Sequence, residues 1–150
     1  MAATAHLPSC GHGCGARPAI LSFDVPARVE EIAPIVEQVI ALASRQLGED
    51  DDKHLQIGLA LQEALANAVI HGAKKDESKN FQCWVATDPD KGVLIVVRDP
   101  GPGFDLSKMP DPRTDNGLSL DHGRGTFMIR RLMDEVHFER NGAEIHMSKK

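Results

Sequence analysis

An α+β fold is predicted for this chain, a two-layer α/β sandwich in which helices cover one face of a mostly antiparallel mixed sheet. Short β-rich runs come in adjacent pairs joined by turn signals, at Asp88-Pro89-Asp90-Lys91-Gly92 and at Asn141-Gly142. Apolar residues recur at helical spacing in the stretches between those pairs. Consecutive strands are then close enough in sequence to pair antiparallel, which gathers the helices into one layer.

Residues 1–17 mix Gly, Ala, Pro, Ser, His and Cys without periodicity and are expected to form a flexible tail, with a single domain over residues 18–150. Ala19 to Val25 reads as a first strand, ended by Pro26. From Arg28 to Leu47, Val29, Ile32, Val36, Val39, Ile40, Ala43 and Leu47 follow helical spacing, with Pro34 awkward inside the stretch and Gly48 closing it. Asp50 to Asp52 suit the first turn of a second helix, where carboxylates meet the positive end of the dipole. That helix is expected to run to His71 and stop at Gly72. Phe81–Thr87 and Val93–Arg98 form a hairpin. Phe104 to His122 contains Pro110 and Pro112 and little periodicity, a loop of about 19 residues of the kind that usually serves as a functional lid. A helix from about Gly125 to Met133 and strands over Glu135–Arg140 and Ala143–Ser148 complete a β-α-α-β-β-α-β-β order.

Composition narrows the function. The chain has 150 residues, 41% hydrophobic and 26% charged, ordinary values for one globular domain. Aromatics make up only 4%, which disfavours stacking platforms for single-stranded nucleic acid. The formal net charge of -5 disfavours a phosphate-backbone binder. No apolar run reaches the roughly 18 residues of a membrane span. Met1 to Gly15 lacks the basic start and apolar core of a secretory signal, and the 3 cysteines cannot close a disulfide framework. A reduced, cytoplasmic protein is expected. His6, Cys10, His12 and Cys14 match no zinc-ligand spacing with a mechanical rationale, so no metal is assigned to the tail.

Three short stretches carry chemistry. In the second helix, Gln56, Glu63, Asn67 and His71 fall within a sector of roughly 80° at about 100° per residue. One polar stripe thus crosses a helix that is otherwise apolar nearly all round, and a carboxylate facing an interior needs a cation, a water or a reacting proton. The other reading of that stripe is a solvated edge. Asp99 ends the run Val93–Val97 and enters Pro100-Gly101-Pro102-Gly103-Phe104. A carboxylate there can accept from an exocyclic amine such as that of adenine, and the glycines leave the backbone open to close approach. The bland alternative is an ordinary Pro-Gly turn. Gly123-Arg124-Gly125-Thr126 lies where the long loop meets a helix, so its amides and Arg124 are candidates for phosphate, or the segment is a plain hinge.

In this order and spacing the stretches resemble the GHKL ATPases. Glu63-x-x-x-Asn67 is similar to their N box, Asp99-x-Gly101-x-Gly103-Phe104 to their G1 box and Gly123-x-Gly125 to their G2 box. Residues 63–72 and 123–136 further resemble the small bacterial anti-sigma-factor serine/threonine kinases. The resemblance implies the Bergerat ATP-binding (histidine-kinase-like ATPase) fold with ATP and Mg²⁺ as cofactors. It implies Glu63 as general base on a serine hydroxyl, Asn67 as Mg²⁺ ligand, and Asp99 on the adenine amine. Gly101 and Gly103 would shape the pocket, and Gly123 and Gly125 would hinge a lid over residues 105–122. His71, Phe104, Arg124 and Thr126 would join the nucleotide contacts. The implied function is an anti-sigma factor that sequesters a sigma factor, phosphorylates an anti-sigma-factor antagonist and acts as a homodimer, without direct nucleic-acid or membrane binding. The alternative is an ATP-dependent regulator that sequesters a partner without turnover.

Overall fold

A computed structural model describes residues 2–6, 19–103 and 121–150, with side chains over 19–103 and 125–150. Six strands form one sheet: β1 (Ala2–His6), β2 (Ala19–Pro26), β3 (Asn80–Asp88), β4 (Gly92–Arg98), β5 (Glu135–Glu139) and β6 (Glu144–Lys149), in the order β1-β2-β3-β4-β6-β5. Every pairing among them is antiparallel, so the sheet is not mixed. Helices α1 (Ile32–Leu47), α2 (Asp51–Asn67) and α3 (Asp121–Leu132) supply the second layer.

Alternation along the strands sorts the two faces. Leu21, Phe23 and Val25, then Phe81, Cys83 and Val85, then Val93, Ile95 and Val97, and finally Ile145 and Met147 are buried beneath the helices. Burial pushes the Cys83 thiol up to about 12, which leaves it an inert core group. Helix α2 is the centre of the layer and packs on α1, on α3 and on β4. Ile57, Ala60, Leu61, Ala64 and Leu65 form its buried face.

Local signals explain most boundaries. Pro34 sits in the first turn of α1, where amide hydrogens lack intrahelical acceptors, so the helix tolerates it. A short 3₁₀ turn, Val29–Glu31, leads into it. The Asp50 carboxylate caps α2 by accepting from the Lys53 amide at 3.0 Å. In the β3–β4 hairpin the Asp88 carboxylate accepts from the Asp90 and Lys91 amides at 2.8 and 3.1 Å.

Several expectations need correction. Ala2–His6, expected within a flexible tail, pairs along β2 from Ala2↔Asp24 to His6↔Ile20; residues 7–18 lie outside the described set. Helix α2 is not apolar-buried all round, since Leu55 is 61% and Leu59 40% exposed. Helix α3 begins at Asp121, ahead of the expected Gly125, so Gly123 to Thr126 are helical rather than a hinge in a loop. The rest of the expected lid, residues 104–120, falls outside the described residues.

Leu61 is fully buried where α2 faces the sheet. Leu61→Ala is expected to cost about 2–5 kcal/mol, seen as a lower urea midpoint with an unchanged slope.

Candidate functional site

The site starts at the end of α2. Regular α-helical geometry stops at Asn67, and Ala68–Gly72 continue as one π-helical turn in which the Ala73 amide donates to the Ala68 carbonyl at 2.9 Å. Such wide turns recur at functional sites because they shift the residues that follow. Here the shift carries Gly72 onto the end of β4. A Cβ at Gly72 would overlap the Asp99 carboxyl, and one at Gly101 would lie 2.6 Å from the Gly72 carbonyl oxygen. Only hydrogen atoms fit between these segments.

Asp99 is clamped in place. Its amide donates to the Ala143 carbonyl at 2.9 Å, tying the strand end to the start of β6. Its carboxylate accepts from the Gly101 amide at 2.8 Å. Burial pushes this carboxyl above the ordinary aspartate range, and the Gly101 hydrogen bond opposes the rise in part. Gly103 follows with φ +82°, in the left-handed region that glycine enters at no steric cost, and a Cβ there would strike the Asn141 carbonyl. The turn it meets, Arg140–Gly142, joins β5 to β6 with positive φ at Arg140, Asn141 and Gly142.

These segments surround a cavity of about 260 Å³. Val97, Ile129, Phe138 and Ile145 give it apolar walls, while Asn67, His71, Lys74, Asp99 and Thr126 bring polar groups to it. A largely apolar cavity with the Asp99 carboxylate in its wall fits a heterocycle bearing an exocyclic amine. Of the residues singled out by sequence, Asn67, His71, Asp99, Gly101, Gly103 and Thr126 all line this cavity. Glu63 does not line it. It lies one turn before Asn67, half-buried, under α3: a Cβ at Gly125 would sit 2.5 Å from Glu63 Oε1 and 3.1 Å from Asn67 Nδ2. Gly123 and Arg124 belong to the α3 backbone, and Phe104 lies outside the described residues.

The sequence matches known proteins along most of its length. Residues 25–149 match the family described as the histidine kinase-like ATPase domain. The chain belongs to this family. Serine-protein kinase RsbW of Bacillus subtilis is 28% identical over 137 residues, covering 86% of this chain and 84% of that protein. The protein of the same name from Staphylococcus aureus is 31% identical over 137 residues, covering 86% and 85%. The Oceanobacillus iheyensis protein, again of that name, is 26% identical over 136 residues, covering 86% and 85%.

For a histidine kinase-like ATPase domain, sequence reasoning missed part of the wall. Lys74, held at φ 53°, reaches the cavity from the turn after the π-helical segment. Its signal was the Gly72-Ala73-Lys74-Lys75 run directly after the polar stripe. Phe138, Gly142 and Ala143 come from the far hairpin, which spacing alone could not bring to Asp99.

The raised Asp99 carboxyl makes a stability prediction. A group whose folded value is raised stabilises the fold fully below its ordinary range and loses that contribution as pH rises through the folded value. Asp99→Asn, which keeps an acceptor for Gly101, is expected to give the nucleotide-free protein a neutral-pH Tm at or above wild type. The gap should close as pH falls below the ordinary carboxylate range, measured by thermal melts across pH.

Proposed function

We propose that this chain is an ATP-dependent serine/threonine protein kinase that phosphorylates an anti-sigma-factor antagonist and sequesters a sigma factor. One observation carries the reading: the end of α2, the Asp99 turn and the first turns of α3 meet around one cavity with a half-buried carboxylate in its wall. The relatives named as serine-protein kinases support it along most of the chain.

In this reading the adenine ring lies between Val97, Ile129, Phe138 and Ile145. The Asp99 carboxylate accepts from its exocyclic amine, and the Gly101 backbone lets the ring come close. The phosphates extend toward Asn67, Thr126 and the first turn of α3, whose amides, Gly123 among them, lack intrahelical acceptors. Lys74 adds positive charge at the rim, and His71 joins the enclosure. Asn67 offers the amide oxygen that would hold Mg²⁺, which when bound neutralises phosphate charge. Glu63 takes the proton from a serine hydroxyl of the substrate protein as the serine oxygen bonds to the γ-phosphorus and ADP leaves. Such a base contributes about 10²–10⁴-fold. The molecule acts as a homodimer in the cytoplasm and makes no contact with nucleic acid or membrane. Among the described residues no helix is long and apolar enough to cross a membrane.

The second reading, ATP-dependent sequestration without turnover, is favoured by the cover that Gly125 places over Glu63. One experiment separates the two. Partners captured from the native cell extract with ATP are incubated with the protein and radiolabelled ATP. Phosphoserine on a captured partner, reduced about 10²-fold or more in Glu63→Gln while ATP still binds, is the expected result. ATP binding without any phosphoprotein would favour the sequestering module, and undiminished transfer would remove Glu63 from the mechanism.

A further inference from the structure

The sheet face turned away from the helices carries a cluster that the nucleotide site does not use. In the β5–β6 pair His137 stands opposite His146 and Glu139 opposite Glu144. Strand alternation turns all of them to the face opposite the part-buried Phe138 and the buried Ile145. The imidazole rings stack with centroids 4.5 Å apart and planes 16° from parallel. Glu139 spans them, with Oε1 3.6 Å from His137 Nε2 and Oε2 3.5 Å from His146 Nε2. The donor atoms of His137, Glu139 and His146 all lie within 4.8 Å of one another.

The geometry points to a binding site for a divalent first-row transition-metal ion, held by His137, Glu139 and His146. Zinc sits about 2.0–2.2 Å from imidazole nitrogen and carboxylate oxygen, which places tetrahedral donors roughly 3.3 Å apart. Each imidazole nitrogen is already within a few tenths of an ångström of that spacing from one of the two Glu139 oxygens, so a small turn of the carboxylate brings one oxygen to both. Two imidazoles and one carboxylate suit Zn²⁺, Ni²⁺ or Cu²⁺, whereas Mg²⁺ prefers an all-oxygen set. His137 is exposed and can turn its ring out of the stack to aim a nitrogen at the ion. His146 is held by Glu144 at 2.9 Å, and Glu144 in turn by Arg98 Nε at 3.0 Å. On binding, His146 exchanges its hydrogen bond to Glu144 for the metal, with its ring proton on Nδ1, and Glu144 stands beside the open coordination position. Because the ligands come from both strands, the ion would cross-link the edge strand to its neighbour, close to the turn whose Gly142 and Ala143 wall the cavity.

The test uses the full chain carrying Cys10→Ser and Cys14→Ser, which removes competing thiolates. Zn²⁺ alone is titrated calorimetrically in Mg²⁺ buffer without nucleotide, and Co²⁺ replaces it for visible spectroscopy. One ion per chain is expected, with d–d bands and no thiolate charge-transfer band. Affinity should fall at least about tenfold in His137→Ala and in His146→Gln. The side chain of His137 is 62% exposed, so its loss should leave the metal-free melt unchanged. No stoichiometric binding, or equal binding by His137→Ala, would overturn the site.

Discussion

The contact between Gly72 and the Asp99 carboxyl is the constraint on which the rest of the site depends, because it leaves no room for a side chain between helix and strand. It requires the π-helical turn that ends α2, which displaces Gly72 from the path an unbroken α-helix would take. It also requires the fully buried α2–sheet packing through Leu61 and Leu65, which sets the height of the helix over β4. Pinned between Gly72, Gly101 and Ala143, the Asp99 carboxylate lines the cavity while one of its oxygens accepts from the Gly101 amide. The β5–β6 turn closes on the other side, through Gly103 against Asn141.

This arrangement keeps a half-buried carboxylate in place at a cost to the empty protein. Desolvation favours the protonated acid, and one backbone hydrogen bond recovers only part of the difference. A ligand amine that donates to the carboxylate removes the conflict. Binding sites commonly hold such local tension, and its repair by ligand is a source of specificity for a donor-bearing base. The opposite face of the sheet resolves its charges internally instead. Burial would raise the Glu144 carboxyl, but the Arg98 and His146 hydrogen bonds hold it below the ordinary range.

Much of this was legible in the residues, for identifiable reasons. The paired strands and the α1–α2 helices follow from turn chemistry, the Asp50–Asp52 carboxylates at a helix start and helical spacing, and the structure keeps each of those boundaries within a few residues. The stripe Glu63, Asn67 and His71 was visible because a helix repeats every 3.6 residues. Other features had no local signal. Ala2–His6 lacks β-branched or aromatic alternation and becomes a strand only because β2 offers a free edge. Gly123 and Gly125 are poor helix formers, so α3 reads as starting late. At Gly125, packing against Glu63 and Asn67 leaves no space for a side chain, which is a tertiary demand. The same holds for the exposed Leu55 and Leu59, whose periodicity marks an apolar helix without saying which neighbours cover it.

The central claim is that α2, the Asp99 turn and α3 enclose one Mg·ATP. A crystal structure with Mg²⁺ and a non-hydrolysable ATP analogue tests it most directly. The account predicts the adenine amine within hydrogen-bond distance of an Asp99 oxygen, about 2.7–3.2 Å, and the phosphates beside Asn67 and the first turns of α3. Nucleotide bound elsewhere, or an adenine whose amine points away from Asp99, would contradict it.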